Sequence, residues 1–226
     1  MKTRGEQSGL LGLGYSVKEA SVGHNGTHYP NFVETLVNAG EIASRFYSLY
    51  LSNLGQFGSI IFGGVDTQKF DGDLVTLNCI PDDGDVYDFL LSMSEAKMTD
   101  ENGTIIQLIN RTNVQYGVFD SGATAWRVED TVYHEIVDLT GFVFLPEVGF
   151  AIRPCVEVSN ITAFDFQFRG YEGNNATHAH LRVLLSQMVF PLSTSEEAYN
   201  GEPKTKTPSW SMFRSHANLL TIRSIW

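Results

Sequence analysis

Residues 116–126 read YGVFDSGATAW: an apolar run delivers an aspartate straight into a serine, a glycine, an alanine and a threonine. A carboxylate carried in behind Val118 and Phe119 is expected in low dielectric, where hydroxyl and N–H donors tune and orient it. Ser121 and Thr124 hold such hydroxyls, and Gly122 permits a close backbone approach. The same letters also spell an ordinary Asp-Ser-Gly turn at the end of a strand. The surroundings of Asp120 therefore have to decide between a site and a turn.

Composition narrows the choice. A chain of 226 residues with 42% hydrophobic and 12% aromatic residues can build a sizeable core, as one large all-β domain or two small ones. A formal net charge of −11 and a pI near 4.9 argue against a nucleic-acid partner, which needs clustered Lys and Arg. An acidic chain suits an acidic medium, where it sheds self-repulsion. Cys79 and Cys155 permit at most one bridge, and whether they pair is open at this point. Asn-x-Ser/Thr occurs at Asn25, Asn102, Asn110, Asn160 and Asn175, which points to a glycosylated, secretory protein. No stretch approaches the roughly 20 apolar residues of a membrane span, and GLLGLGY is too short for a signal peptide. A secreted protein is thus expected to have its targeting segment outside these residues.

Strand signals dominate. FYSLYLS (46–52) and SIIFGGV (59–65), separated by Asn53, Gly55 and Gly58, predict a hairpin. DLVTLNCI, TIIQLIN, VQYGVF and ITAFDFQF predict further strands, the last placing Phe164, Phe166 and Phe168 on one face. Helices are predicted from about 30 to 39, with Pro30 in the first turn and Gly40 behind, and from about 129 to 139.

GLLGLGY (9–15), YPNFVETLVNAGEI (29–42), YSLYLS (47–52), GSIIFGGVDTQKFDGDLVTL (58–77) and VFDSGATAW (118–126) follow one another in an order that resembles the pepsin-like aspartic peptidases, particularly the candidapepsins and yapsins of fungi. The likeness covers roughly residues 9 to 204. It implies an all-β acid protease fold of two lobes, here truncated at both ends. Residues 1–65 are expected to hold the end of the first lobe and the inter-lobe strands, 66–204 the second lobe, and 205–226 a tail unlike the family. The implied function is aspartic-type endopeptidase activity on peptide or protein substrates, with no cofactor or metal. One carboxylate deprotonates a water while its partner protonates the scissile carbonyl. The resemblance makes Asp120 the second-lobe catalytic aspartate, supported by Ser121, Gly122 and Thr124. Gly122, Ala123 and Thr124 are candidates for substrate contact. It also implies a monomer when complete, and an extracellular or cell-surface location.

Departures from the family pattern accompany the match. No Asp-Thr-Gly loop precedes GLLGLGY, and Asp66-Thr67 is followed by Gln68 rather than glycine. The late apolar-apolar-Gly strand and the expected partner of Cys155 are not found in TKTPSWSMFRSHANLLTIRSIW. Ala123 stands where many fungal relatives carry Thr or Ser. This polypeptide alone is therefore expected to be inactive, and the alternative is a non-catalytic peptide-binding pseudoprotease. A homodimer of two DSGAT loops, as in retroviral proteases, fits the length and the first-lobe remnants less well. His24 with His28, and His178 with His180, lack an accompanying carboxylate or cysteine cluster, so no metal site is expected.

Overall fold

The computed structural model describes residues 11–51, 58–110, 112, 114–123, 126–146, 150–171, 178–191, 209–212 and 220–222. Thr124 and Asn175, and the loop of the expected hairpin, lie outside the described residues. The chain divides into two compact units, Met1–Gly72 with Ile225–Trp226, and Asp73–Ser224.

In the first unit a short 3-10 turn (Ser16–Lys18) leads into α1 (Ala20–Asn25), α2 (Phe32–Asn38), β1 (Tyr47–Tyr50) and β2 (Ser59–Phe62). Asn31 starts α2 because its side chain accepts from the Glu34 N–H at 2.9 Å while Glu34 accepts from the Asn31 N–H at 3.1 Å. This reciprocal cap satisfies two otherwise orphaned donors. Pro30 therefore stands just before the cap rather than inside the first turn. β1 and β2 pair antiparallel from Tyr47↔Phe62 to Tyr50↔Ser59, as their alternation predicts. Phe62 then meets Phe32 edge-on at 5.1 Å, which ties α2 to the ribbon.

The second unit contains β3 (Leu90–Thr99), β4 (Ile105–Ile109), β5 (Gln115–Phe119), α3 (Asp130–Thr140), β6 (Val143–Leu145), β7 (Phe150–Pro154), β8 (Ala163–Arg169), β9 (His178–Leu184), α4 (Leu185–Met188), β10 (Phe190–Pro191), β11 (Ser209–Met212) and β12 (Leu220–Ile222). β3 is the spine of a six-stranded sheet. One of its edges takes β8; the other takes β5 along Leu90–Met93 and then β4 along Ala96–Thr99. β9 flanks β8, and β12 runs parallel to β5, so β5 has a neighbour on both edges. A second sheet has the order β10-β11-β7-β6.

Phe164, Phe166 and Phe168 are all buried, and α3 brings Val132, Tyr133, Ile136 and Val137 into the same core. These helical residues recur at the spacing of one face. Burying each large apolar side chain contributes about 1.5–3 kcal/mol, which makes the β8 stripe a principal anchor. The opposite face of β8 is covered in part: Ala163 and Gln167 are buried, and the Ser94 hydroxyl donates to the Gln167 carbonyl at 3.3 Å.

Two strand expectations need correction. Residues 73–80 form no strand; Leu74 and Val75 are exposed, and the segment is held by single backbone bonds such as Ile80 N–H to the Leu90 carbonyl at 2.8 Å. The central strand β3, by contrast, has no counterpart among the predicted strands. Among the described residues no helix is long and apolar enough to cross a membrane.

Candidate active site

β5 ends at Phe119, whose ring meets Phe168 edge-on at 5.0 Å and whose N–H donates to the Phe89 carbonyl at 3.1 Å. On the far side of DSGAT, the buried Trp126 ring meets Phe166 at 5.0 Å and Phe164 at 6.3 Å. Both ends of the loop are thus pinned to one aromatic stripe on β8. Edge-to-face ring pairs of this kind add about 0.5–1.5 kcal/mol each beyond area burial. Sequence reasoning missed Trp126 and Phe119 as supports, although an aromatic residue on either side of DSGAT and a Phe-x-Phe-x-Phe strand were there to be read.

Between these anchors the chain makes a tight turn. The Ala123 N–H donates to the Asp120 carbonyl at 3.2 Å, and the Gly122 N–H donates to Asp120 Oδ1 at 2.8 Å. A Cβ on residue 122 would lie 3.1 Å from the same Oδ1, so any larger residue here has to displace the carboxylate by a few tenths of an ångström. The apolar approach suggests a buried carboxylate, but Asp120 is exposed, as are Ser121 and Gly122; Ala123 is half-buried. The reason is positional: the carboxylate lies one residue past the end of β5, on the turn itself. A carboxylate fixed by an amide at one oxygen and open to solvent can orient a water and accept its proton. Hydrolysis of a peptide bond demands that role and a second one, protonation of the scissile carbonyl.

The remaining candidates belong to other segments of the chain. Asp66 closes a turn of its own, accepting from the Gln68 N–H at 3.0 Å. Cys79 and Cys155 are not bridged, and burial pushes the Cys79 thiol above its ordinary pKa, which disfavours a thiolate nucleophile. His178 and His180 are exposed on β9, and among the described residues no three His, Cys, Asp or Glu side chains gather as a metal site. Of the sequon asparagines, Asn25 ends α1, Asn102 sits in the β3–β4 turn, Asn110 follows β4 and Asn160 precedes β8; all four are exposed.

Comparison with known proteins gives the family and the fold. The family model for eukaryotic aspartyl protease matches residues 1–199. "Probable aspartic-type endopeptidase opsB" of Aspergillus oryzae is 30% identical over 149 residues, covering 65% of this chain and 31% of the relative. "Secreted aspartic protease 1" of Candida albicans is 30% identical over 208 residues, covering 88% of this chain and 44% of the relative. The crystal structure of the aspartic proteinase from Irpex lacteus superposes with a TM-score of 0.60 at 13% identity, over 93% of this chain and 57% of that one, a likeness of fold. The chain thus spans about a third to a little under half of these curated relatives. With the motif order, the all-β fold and the family match in agreement, this chain belongs to the eukaryotic aspartyl proteases.

Proposed function

We propose that these residues form the second catalytic half of an aspartic-type endopeptidase, in which Asp120 activates or polarises the hydrolytic water opposite a second aspartate. The observation that carries the reading is the presentation of Asp120: solvent-exposed, one oxygen held by the Gly122 N–H, on a loop pinned by Phe119 and Trp126. Ser121 and Thr124 are the candidate loop supports, and Gly122, Ala123 and Thr124 the candidate substrate contacts. The substrate is a peptide or protein held in extended form, and the chemistry is acid–base catalysis by side chains. The domain reading is residues 1–65 as the end of a first lobe, 66–204 as the second lobe and 205–226 as a divergent tail. Sequons and secreted relatives support passage through the secretory pathway to the cell surface or medium.

The test uses the longest natural polypeptide containing these 226 residues and a quenched fluorescent peptide at acidic pH. Asp120→Asn lowers turnover by about 10²–10⁴-fold, the range typical of removing a general acid or base. The 226-residue chain alone does not turn the peptide over. Hydrolysis undiminished in Asp120→Asn overturns the reading. A longest product that binds the peptide without cleaving it identifies a peptide-binding pseudoprotease instead.

A further inference from the structure

We propose that Asn102 and Asn160 carry N-linked glycans that together cap one end of the six-stranded sheet, the end remote from Asp120. The inference rests on the secretory placement proposed above and is independent of catalysis by Asp120.

The register of β3 brings the two sites together. Thr99, its last residue, pairs with Ile105 of β4 on one side and with Ala163 of β8 on the other. Asn102 lies in the turn just before Ile105, and Asn160 lies three residues before Ala163, so both sequons stand at this end of the sheet. Asp120 follows β5, which pairs with the opposite end of β3 through Leu90↔Val118. At about 3.3 Å per strand residue, the ten residues of β3 put roughly 30 Å between the two ends.

Each asparagine is held out on a turn fixed by its neighbours. Asp100 Oδ1 accepts from the N–H groups of Asn102 at 2.9 Å and Thr104 at 2.7 Å. Ser159 Oγ accepts from the N–H groups of Ile161 and Thr162, both at 3.0 Å. Beside these turns stand two isoleucines, Ile105 and Ile161, each 66% exposed. β4 and β8 flank β3, so their chains run only about 9.6 Å apart. Large apolar side chains exposed together on a secreted surface invite association. A bulky, solubilising glycan on either side covers them while leaving the Asp120 end clear for a polymeric substrate.

In the modifying step, the asparagine Nδ2 forms a bond to C1 of an oligosaccharide carried on a polyprenyl pyrophosphate. The C1–O bond breaks, the lipid pyrophosphate leaves, and the amide nitrogen loses one proton; nothing is oxidised or reduced.

The test expresses the full chain behind an appended, cleavable secretion signal in yeast and maps site occupancy by glycopeptide mass spectrometry after endoglycosidase H. The expected result is a residual sugar on Asn102 and on Asn160. Enzymatic deglycosylation of the native protein, like the Asn102→Gln/Asn160→Gln double variant, should raise binding of a hydrophobic dye, and adding Ile105→Ser/Ile161→Ser should bring it back down. Either asparagine unmodified in chain protected from protease inside microsomes overturns the proposal, as does dye binding indifferent to deglycosylation. Chain modified in yeast but insensitive to the endoglycosidase when isolated from its own cells overturns the secretory placement, and the proposal with it. Peptide hydrolysis is not read in any arm, so a failure of the Asp120 assignment remains a separate result.

Discussion

At residue 122 a single methyl group tests the candidate carboxylate. Its Cβ would sit 3.1 Å from Asp120 Oδ1, close enough that the carboxylate has to move by a few tenths of an ångström. The carboxylate is exposed and free to do so, so Gly122→Ala should leave the fold nearly unaltered and strike activity instead. Misplaced catalytic groups lose up to about 100-fold in rate, and steady-state kinetics on the longest natural product, set beside its melting temperature, separates the two effects. A turnover number equal to wild type would show that the Asp120 carboxylate can give way to a Cβ at residue 122 without loss of rate. Gly170→Ala predicts the reverse pattern. Its Cβ would fall 2.7 Å from the Asn78 nitrogen and 3.2 Å from the Asn78 carbonyl oxygen, both backbone atoms that cannot swing aside. Overpacking of this kind costs about 1–3 kcal/mol, measurable by urea denaturation. The two glycines differ in how legible they are from sequence. Gly122 is marked by the DSG letters around it, whereas the need for Gly170 arises from a segment far away in the chain. The exposure of Asp120 was also hidden, because apolar letters upstream reveal where a strand runs but not where it stops.

At the scale of elements, α2 provides a pH-dependent prediction. Burial raises the Glu34 pKa, but the Asn31 N–H, the Ser16 hydroxyl and the Arg45 guanidinium together outweigh it and hold the carboxyl below its ordinary 4.5. A carboxyl depressed in the folded state adds stability above its unfolded pKa, and that stability is lost as the pH falls through the lower, folded value. Glu34→Gln keeps an acceptor for the Asn31 N–H but does not titrate. Its stability should therefore fall less steeply than wild type between about pH 5 and pH 3, the region around an ordinary glutamate pKa. Asn31→Ala removes the cap at every pH and should cost about 1 kcal/mol, more if its 2.7 Å bond to the Gly14 carbonyl is also missed. Thermal melts of the three proteins across this range check both statements; parallel pH profiles for wild type and Glu34→Gln would refute the first. The helix itself was legible from the local signals of Pro30 and Gly40 at its ends, although its cap at Asn31 went unread. The spine strand β3 was not legible, for a reason visible in its register. Met93, Ala96 and Met98 are its buried apolar residues, and the ladder to β8 shifts between Met93 and Glu95. A bulge changes which residues face inward, so the alternation that marks a strand breaks at midpoint. Ser92, Ser94, Glu95 and Lys97 add little β-propensity, and the neighbours that select the strand conformation arrive from distant parts of the chain.

At the scale of the whole molecule, the ordered motifs carried the family and the all-β class, because both are written in short segments whose sequence order is fixed. The tail was not legible in the same way: β11 slots between β10 and β7, and β12 lies along β5, pairings that composition does not announce. What composition does announce is charge. Asp and Glu number 26 against 15 Lys and Arg, so at pH 7 the folded chain holds an excess of eleven negative charges that repel one another. Ion pairs such as Arg182–Asp165, with a shortest separation of 2.7 Å, neutralise only part of this, and exposed pairs of that kind contribute about 0–1 kcal/mol. Sodium chloride shortens the Debye length to about 10 Å at 0.1 M and screens the net repulsion and the individual attractions together. With repulsion in excess, added salt should raise the melting temperature at pH 7, by about 2–4 °C for each 1 kcal/mol relieved. Near pH 4.9 the net charge is close to zero, so the same salt should have little effect or lower the melting temperature slightly. Chloride is the anion to use, since sulfate strengthens apolar burial at any pH and would hide the difference. A melting temperature that falls with salt at pH 7 would mean that specific ion pairs outweigh the net charge. Arg182→Ala would then show a smaller fall with salt than the wild-type chain.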